Sequence, residues 1–165
     1  MNNWKKYFKP LPVGERLMIC PSWEAAPEAG GRALLHIDPG MAFGTGGHDT
    51  TRLVLETLEK HVHGGERFLD VGCGSGILSI AALVLGASAA TAVDIDPKAV
   101  DVAYENAALN GIGRDHCRFL AGNVIADQGL VQELAREKAQ VVLANIVADV
   151  IIPLAPVVPQ LLDRE

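Results

Sequence analysis

Several things are scarce in this sequence, and each scarcity closes off a class of function. Cysteines are few and poorly placed for chemistry. Cys20, Cys73 and Cys117 are widely spaced and odd in number, and no C-x-x-C pair occurs. Neither a zinc site nor a disulfide framework is supported, and no metal site is expected. A chain without a disulfide pattern fits a reducing compartment, so a cytoplasmic location is expected. Basic charge is also short: 14 Lys and Arg against 20 Asp and Glu give a net charge of −6 and a pI near 5.3. A sequence-independent grip on a nucleic-acid backbone needs the opposite balance, so no direct nucleic-acid partner is expected. The opening residues MNNWKKYFKPLP interrupt their apolar positions with lysines and prolines, which is not a signal peptide. No run reaches the roughly 18 apolar residues of a membrane span. Residues 141–162 come nearest, but Asn145, Asp149, Pro153, Pro156 and Pro159 interrupt them, so no membrane partner is expected.

What is present is enough for one domain: 165 residues, 49% of them hydrophobic. The stretch from Arg67 to Asp96, RFLDVGCGSGILSIAALVLGASAATAVDID, organises the rest. A strand-like run, Phe68–Val71, leads into glycines at 72, 74 and 76. An apolar segment of helical length, Ile77–Leu85, stops at Gly86, and a second run, Ala89–Val93, ends in Asp94. Strand, glycine turn, helix, strand and acid make the plan of a nucleotide-binding βαβ unit. A dinucleotide fingerprint would be G-x-G-x-x-G, so that a pyrophosphate can sit on the helix N-terminus. Here position 77 is isoleucine, and Asp70 stands two residues before the first glycine. A carboxylate pointed into the pocket from Asp70 would repel a pyrophosphate and attract a cationic group such as the ammonium of a methionine moiety. D-x-G-x-G-x-G followed by Asp94 looks like the signature of S-adenosylmethionine methyltransferases. The plainer alternative is a βαβ unit whose glycines merely make a tight turn.

Around this unit the pattern alternates. Arg16–Cys20 and Arg32–Ile37 read as strands of a small β-hairpin joined by a loop, with Trp23 anchoring it. The glycine-rich segment 36–51 reads as a long loop, suspect for function. Asp49 or Thr50 then caps a helix over Thr51–Val62, with Glu56 and Lys60 as an i,i+4 pair. After the βαβ unit, Asp96 and Pro97 start a helix over Lys98–Asn110 that Gly111 closes. Cys117–Leu120 reads as a strand, Leu130–Lys138 as a helix, and Val141–Ala144, all apolar, as a strand buried on both faces. Alternating strands and helices imply a doubly wound, Rossmann-like α/β parallel sheet, with ligands at the carboxyl ends of its strands. Asp70, Gly72, Gly74, Asp94 and Asn145 all fall at those ends. The segment 149–163 should be a crossover helix, but its three evenly spaced prolines also suit polyproline II.

The motifs DPGMAFGTGGHDTT, DVGCGSGILSIAA, DIDPKAVDVAYENAALNG and VVLANIVADVI, with the arm WKKYFKP and RLMICPSWE, resemble the PrmA-type methyltransferases. The resemblance runs over nearly all of residues 4–162. It departs at Gly47, where the family usually has threonine, and at Asp49, where it usually has proline. It implies a class I methyltransferase fold and an enzyme that trimethylates the eleventh protein of the large ribosomal subunit on lysine side chains and its N-terminal amine. It implies S-adenosylmethionine as cofactor, contacted by Thr51, Gly72, Asp94 and Asn145, with Asn145 facing the reacting centre. For Thr51 the residues alone offer only helix capping. The family also carries an N-terminal substrate-binding domain and further strands. Against that pattern, residues 1–35 read as a linker arm and hairpin. Residues 36–165 read as the front part of a catalytic domain, truncated after the fourth strand. A related methyltransferase on another protein or a small amine, or an inactive cofactor-binding fragment, are the alternatives.

Overall fold

The computed structural model describes residues 11–21, 30–37, 48–144 and 152–162. Among the described residues, seven strands form two sheets. The larger contains β4 (Arg67–Val71), β5 (Ala89–Asp94), β6 (Cys117–Ala121) and β7 (Val141–Ala144), all parallel, in the order β6-β5-β4-β7. The order runs outward from β4 in both directions, so the chain switches sides between β4 and β7.

Side chains alternate across a strand, and the two faces of this sheet carry separate apolar cores. Phe68, Ala90 and Ala92 belong to one core, together with Ile80 and Ala81 of α2 (Ile77–Leu85) and Ala103 and Ala107 of α3 (Pro97–Leu109). Leu69, Val71 and Val93 belong to the other, with Val131 and Leu134 of α4 (Gln128–Ala135) and Leu161 of α5 (Val158–Leu161). Each fully buried Leu or Phe in these cores contributes on the order of 1.5–3 kcal/mol. The same alternation sets Asp70 on the Phe68 side, beneath α2.

The smaller sheet differs from the expected hairpin. β2 (Leu17–Pro21) and β3 (Ala33–Ile37) run parallel, with Ile19 opposite Leu35. The hairpin partner of β2 is β1 (Leu11–Val13), reached through a tight turn at residues 14–16. A hairpin loop is short. The stretch between β2 and β3 is long enough to carry the chain back to the starting end and so permits parallel pairing. Val13, Leu17, Ile19 and Leu35 join the Phe68 core, and β3 crosses residue 35 without a break.

The joint between this sheet and the helices is polar and nearly buried. Glu59, 7% exposed, accepts the backbone N–H groups of Glu15 and Arg16 at 2.9 and 3.0 Å. The Arg16 guanidinium donates to the carbonyls of Glu59, Val62 (2.6 Å) and Leu85 (3.2 Å), supplying donors to carbonyls that a helix end leaves unpaired. Gly14, at φ +58°, lies under the Glu59 carboxylate, and a Cβ there would stand 2.3 Å from Oε1.

Helix boundaries also move. The helix α1 spans His48–Leu58, so Asp49 and Thr50 lie inside its first turn, ahead of the expected start at Thr51. It ends before Lys60, and Glu56 pairs instead with Arg52 at 3.3 Å, one turn earlier. The start of α4 is set by Asp127, whose carboxylate accepts the Leu130 N–H at 3.1 Å. Within residues 152–162 the prolines break the chain into short helical turns that bury Leu154 and Leu161, in place of one crossover helix or polyproline II. Among the described residues no helix is long and apolar enough to cross a membrane.

Candidate functional site

The strand ends meet as the sequence requires. A cleft of about 340 Å³ opens over the carboxyl ends of β4, β5 and β6, lined by residues that include Gly72, Asp94, Ile95, Asn123, Ile125 and Leu154. Its walls are mostly apolar. Ile95 and Ile125, 68% and 42% exposed, present bare aliphatic surface there.

The glycine turn wraps onto the end of β5. The backbone N–H groups of Gly72 and Cys73 both donate to the Val93 carbonyl, at 2.8 and 3.1 Å. That of Gly76 donates to the Cys73 carbonyl at 2.9 Å. Gly76 caps α2 at φ +80°, and a Cβ there would come 2.9 Å from the Ala103 Cβ, so only glycine lets the turn press against α3. Gly74 donates its N–H to Asp94 Oδ2 at 2.9 Å, and Asp96 donates its own to Asp94 Oδ1 at 2.9 Å. Each oxygen of Asp94 keeps acceptor capacity to spare, since an ionised carboxylate offers about four acceptor sites, and the residue lines the cleft.

Asp70 is placed differently from the expectation of a carboxylate pointing into the pocket. It is 1% exposed, turned under α2, and does not line the cleft. Its Oδ2 accepts the Ser79 hydroxyl at 2.9 Å, and the Ser79 backbone N–H also supports the carboxylate. The attraction is physical: Ser79 lies in the first turn of α2, where free N–H groups and the helix dipole favour an anion. The other oxygen, Oδ1, is buried without a hydrogen-bond partner. Burial raises the carboxyl pKa to about 6, opposed by the Ser79 hydroxyl and assisted by the charge of Asp94. Burial, with Asp70 and Asp94 nearby, also pushes the Cys73 thiol far above its ordinary value, which keeps it protonated and unreactive.

Of the remaining expected site residues, Gly72 and Asp94 line the cleft, and Gly74 reaches it through Asp94. Thr51 lies in the first turns of α1, where the backbone alone is described. Asn145 falls outside the described residues. It follows Ala144, which is opposite Val71 in the β4–β7 register. Sequence reasoning missed Ile95, Gly122, Asn123, Val124, Ile125 and Leu154. The end of β6 at Ala121 was a usable signal, because the rule that exposed Asp70 and Asp94 applies equally to the residues after a third strand.

Comparison with known proteins gives this cleft a context. Curated proteins named ribosomal protein L11 methyltransferase, from Acetivibrio thermocellus and Thermoanaerobacter pseudethanolicus, are 45% and 46% identical to the chain over 164 residues. Each match takes in 99% of this chain and 50% of the relative, so the chain spans about half the length of the curated relatives it matches. A crystal structure of the ribosomal protein L11 methylase from Lactobacillus delbrueckii subsp. bulgaricus superposes with a TM-score of 0.78 at 33% identity, covering 94% of this chain and 76% of that one. An RNA methyltransferase from Salinibacter ruber shares the fold at a TM-score of 0.55 and 24% identity, over 67% of this chain and 69% of that one. Residues 1–165 match the family described as ribosomal protein L11 methyltransferase (PrmA), and the chain belongs to that family.

Proposed function

We propose that this chain forms the S-adenosylmethionine-binding part of a protein methyltransferase acting on lysine side chains and the N-terminal amine of ribosomal protein L11. The observation that carries the cofactor reading is the state of the glycine turn. The N–H groups of Gly72, Cys73, Gly74 and Gly76 are spent on protein oxygens, so these four are not offered to a pyrophosphate. What it offers is a close backbone approach, the spare lone pairs of Asp94, and apolar walls. These fit a ribose, a flat heterocycle covered by Ile95 and Ile125, and a cationic end directed toward the negative potential of Asp70 and Asp94.

The cofactor, when bound, supplies a methyl group on a positively charged sulfur that is already an excellent leaving group. The residues have the task of holding and orienting. Asp94 accepts the two ribose hydroxyls and fixes the adenosine. Gly72 brings backbone against the ligand. Buried Asp70, with its unpaired Oδ1, sets a negative potential beneath the turn for the ammonium. Asn145, following β7, is assigned to the incoming amine, whose lone pair must point at the methyl carbon in line with the departing sulfur. That amine must first lose a proton. A lysine with an ordinary pKa near 10.4 costs about 4.6 kcal/mol to neutralise at pH 7, and an uncharged acceptor in a water-poor site lowers that cost. The site of action is the cytoplasm, where a ribosomal protein meets its modifying enzyme.

Methyl transfer from radiolabelled S-adenosylmethionine to purified L11, using the protein extended to the length of its relatives, tests the substrate. Label on L11 amines supports the reading. Efficient labelling of a different protein, with L11 untouched, refutes it.

A further inference from the structure

Asn106 of α3 and Asn110, the residue that caps its end, both reach backbone outside the helix. Asn106, 5% exposed, donates its Nδ2 to the Ser75 carbonyl at 2.9 Å, in the middle of the glycine turn. Asn110, at the end of α3, exchanges two hydrogen bonds with His36 of β3. The His36 N–H donates to Oδ1 at 2.7 Å, and Nδ2 donates to the His36 carbonyl at 2.8 Å. That pair of bonds imitates a strand partner along the side of β3 away from β2. The Asn110 Nδ2 also donates to the Asn106 backbone carbonyl at 2.9 Å, so the Asn110 side chain is tied to the backbone of the residue that holds the turn.

The surroundings make Asn106 an odd choice for packing alone. Its buried neighbours on the helix are Ala103 and Ala107, and Ala103 is the residue against which Gly76 presses. A buried amide in such a place costs free energy unless it is bonded, and an apolar residue would avoid the cost. What the amide adds is direction: it fixes where one carbonyl of the turn points. The turn is thereby held from behind by Asn106 at Ser75 and from the cleft side by Asp94 at Gly74.

We propose that Asn106 is a positioning residue for the cofactor, whose bond to the Ser75 carbonyl holds the glycine turn in the form that presents Gly72 and Asp94 to the ligand. Asn110 ties the same helix to β3, so that the turn is registered against the N-terminal sheet. The inference rests on the cofactor-site reading above.

Calorimetric titration of the 165-residue chain with S-adenosylhomocysteine tests it, comparing the unaltered chain, Asn106→Ala and Val62→Ala. Val62 is fully buried at the opposite end of the fold's helical layer and reports the effect of lost stability alone. Asn106→Ala should weaken binding about tenfold, the value of one directed hydrogen bond, while Val62→Ala stays within twofold. Asn106→Ala within twofold, or equal losses in both variants, would overturn the proposal. Failure of the unaltered chain to bind would instead strike the cofactor-site reading itself, and this inference with it. Should Asn106→Ala not fold, the side-chain amide signals of Asn106 in the unaltered chain decide. They should shift on ligand addition although the residue touches no ligand, and unmoved signals would count against the proposal.

Discussion

The backbone N–H of Gly74 and the carboxylate of Asp94 are joined at 2.9 Å, tying the glycine turn after β4 to the acid at the end of β5. The acid therefore has two jobs: it shapes the turn and it faces the cleft. Asp94→Ala should weaken S-adenosylhomocysteine binding by about 1.5–3 kcal/mol, since charge-assisted hydrogen bonds are lost. Asp94→Asn, which keeps one acceptor oxygen, should lose less. Titration calorimetry reads both, and an alanine variant whose Kd stays within a factor of two would remove Asp94 from the ligand.

Asp70 should trade stability for function. Its carboxyl pKa rises from 3.8 to about 6 on folding, so between those values the folded chain holds a proton that the unfolded chain has released. Stability from this group is thus greatest below pH 4 and falls as pH rises through about 6. Asp70→Asn should flatten that fall and gain on the order of 2–3 kcal/mol at pH 8. It should also weaken the cationic cofactor S-adenosylmethionine. Urea unfolding at pH 4.5, 6 and 8 checks the first part; parallel pH profiles in the two proteins would refute it.

The Arg16–Glu59 joint should matter for stability and not for the ligand. Arg16→Ala leaves the carbonyls of Glu59, Val62 and Leu85 without their donor, and a loss of about 2–4 kcal/mol is expected. Gly14→Ala forces a side chain into both an unfavourable φ and the Glu59 carboxylate, and should cost a comparable amount. Denaturant midpoints measure the loss, with cofactor affinity expected to stay near that of the unaltered chain under native conditions. A variant as stable as the parent would show that the joint is incidental.

The main sheet was legible because its signals were local. Phe68–Val71 and Ile77–Leu85 are apolar runs of the right length with glycine beside them, and Val141–Ala144 is an uninterrupted apolar run; all three appear within a residue of where the sequence puts them, although Val141–Ala144 is half-buried where full burial on both faces was expected. What was not legible depends on partners distant in sequence. Nothing local in Arg32–Ile37 says that it pairs parallel to Leu17–Pro21, because the pairing joins partners distant in sequence, such as Leu17 and Ala33. The chain just past the end of α1 is held by Arg16, more than forty positions away, which donates to the carbonyls of Glu59 and Val62. Asp70 was readable as an acid in the right place. Its direction was not, because the alternation of β4 and the pull of Ser79 decide it together. In the site, Gly72 and Asp94 announced themselves through the glycine and acid motif. Ile95 and Ile125 did not, since an exposed isoleucine has no signature until the cleft beside it is seen.

The most direct test of the account is a competition titration of residues 1–165 with S-adenosylhomocysteine and NADH. The spent turn donors and the spare lone pairs of Asp94 predict saturable binding of S-adenosylhomocysteine at one site, undisturbed by excess NADH. Tighter binding of NADH than of S-adenosylhomocysteine would contradict it.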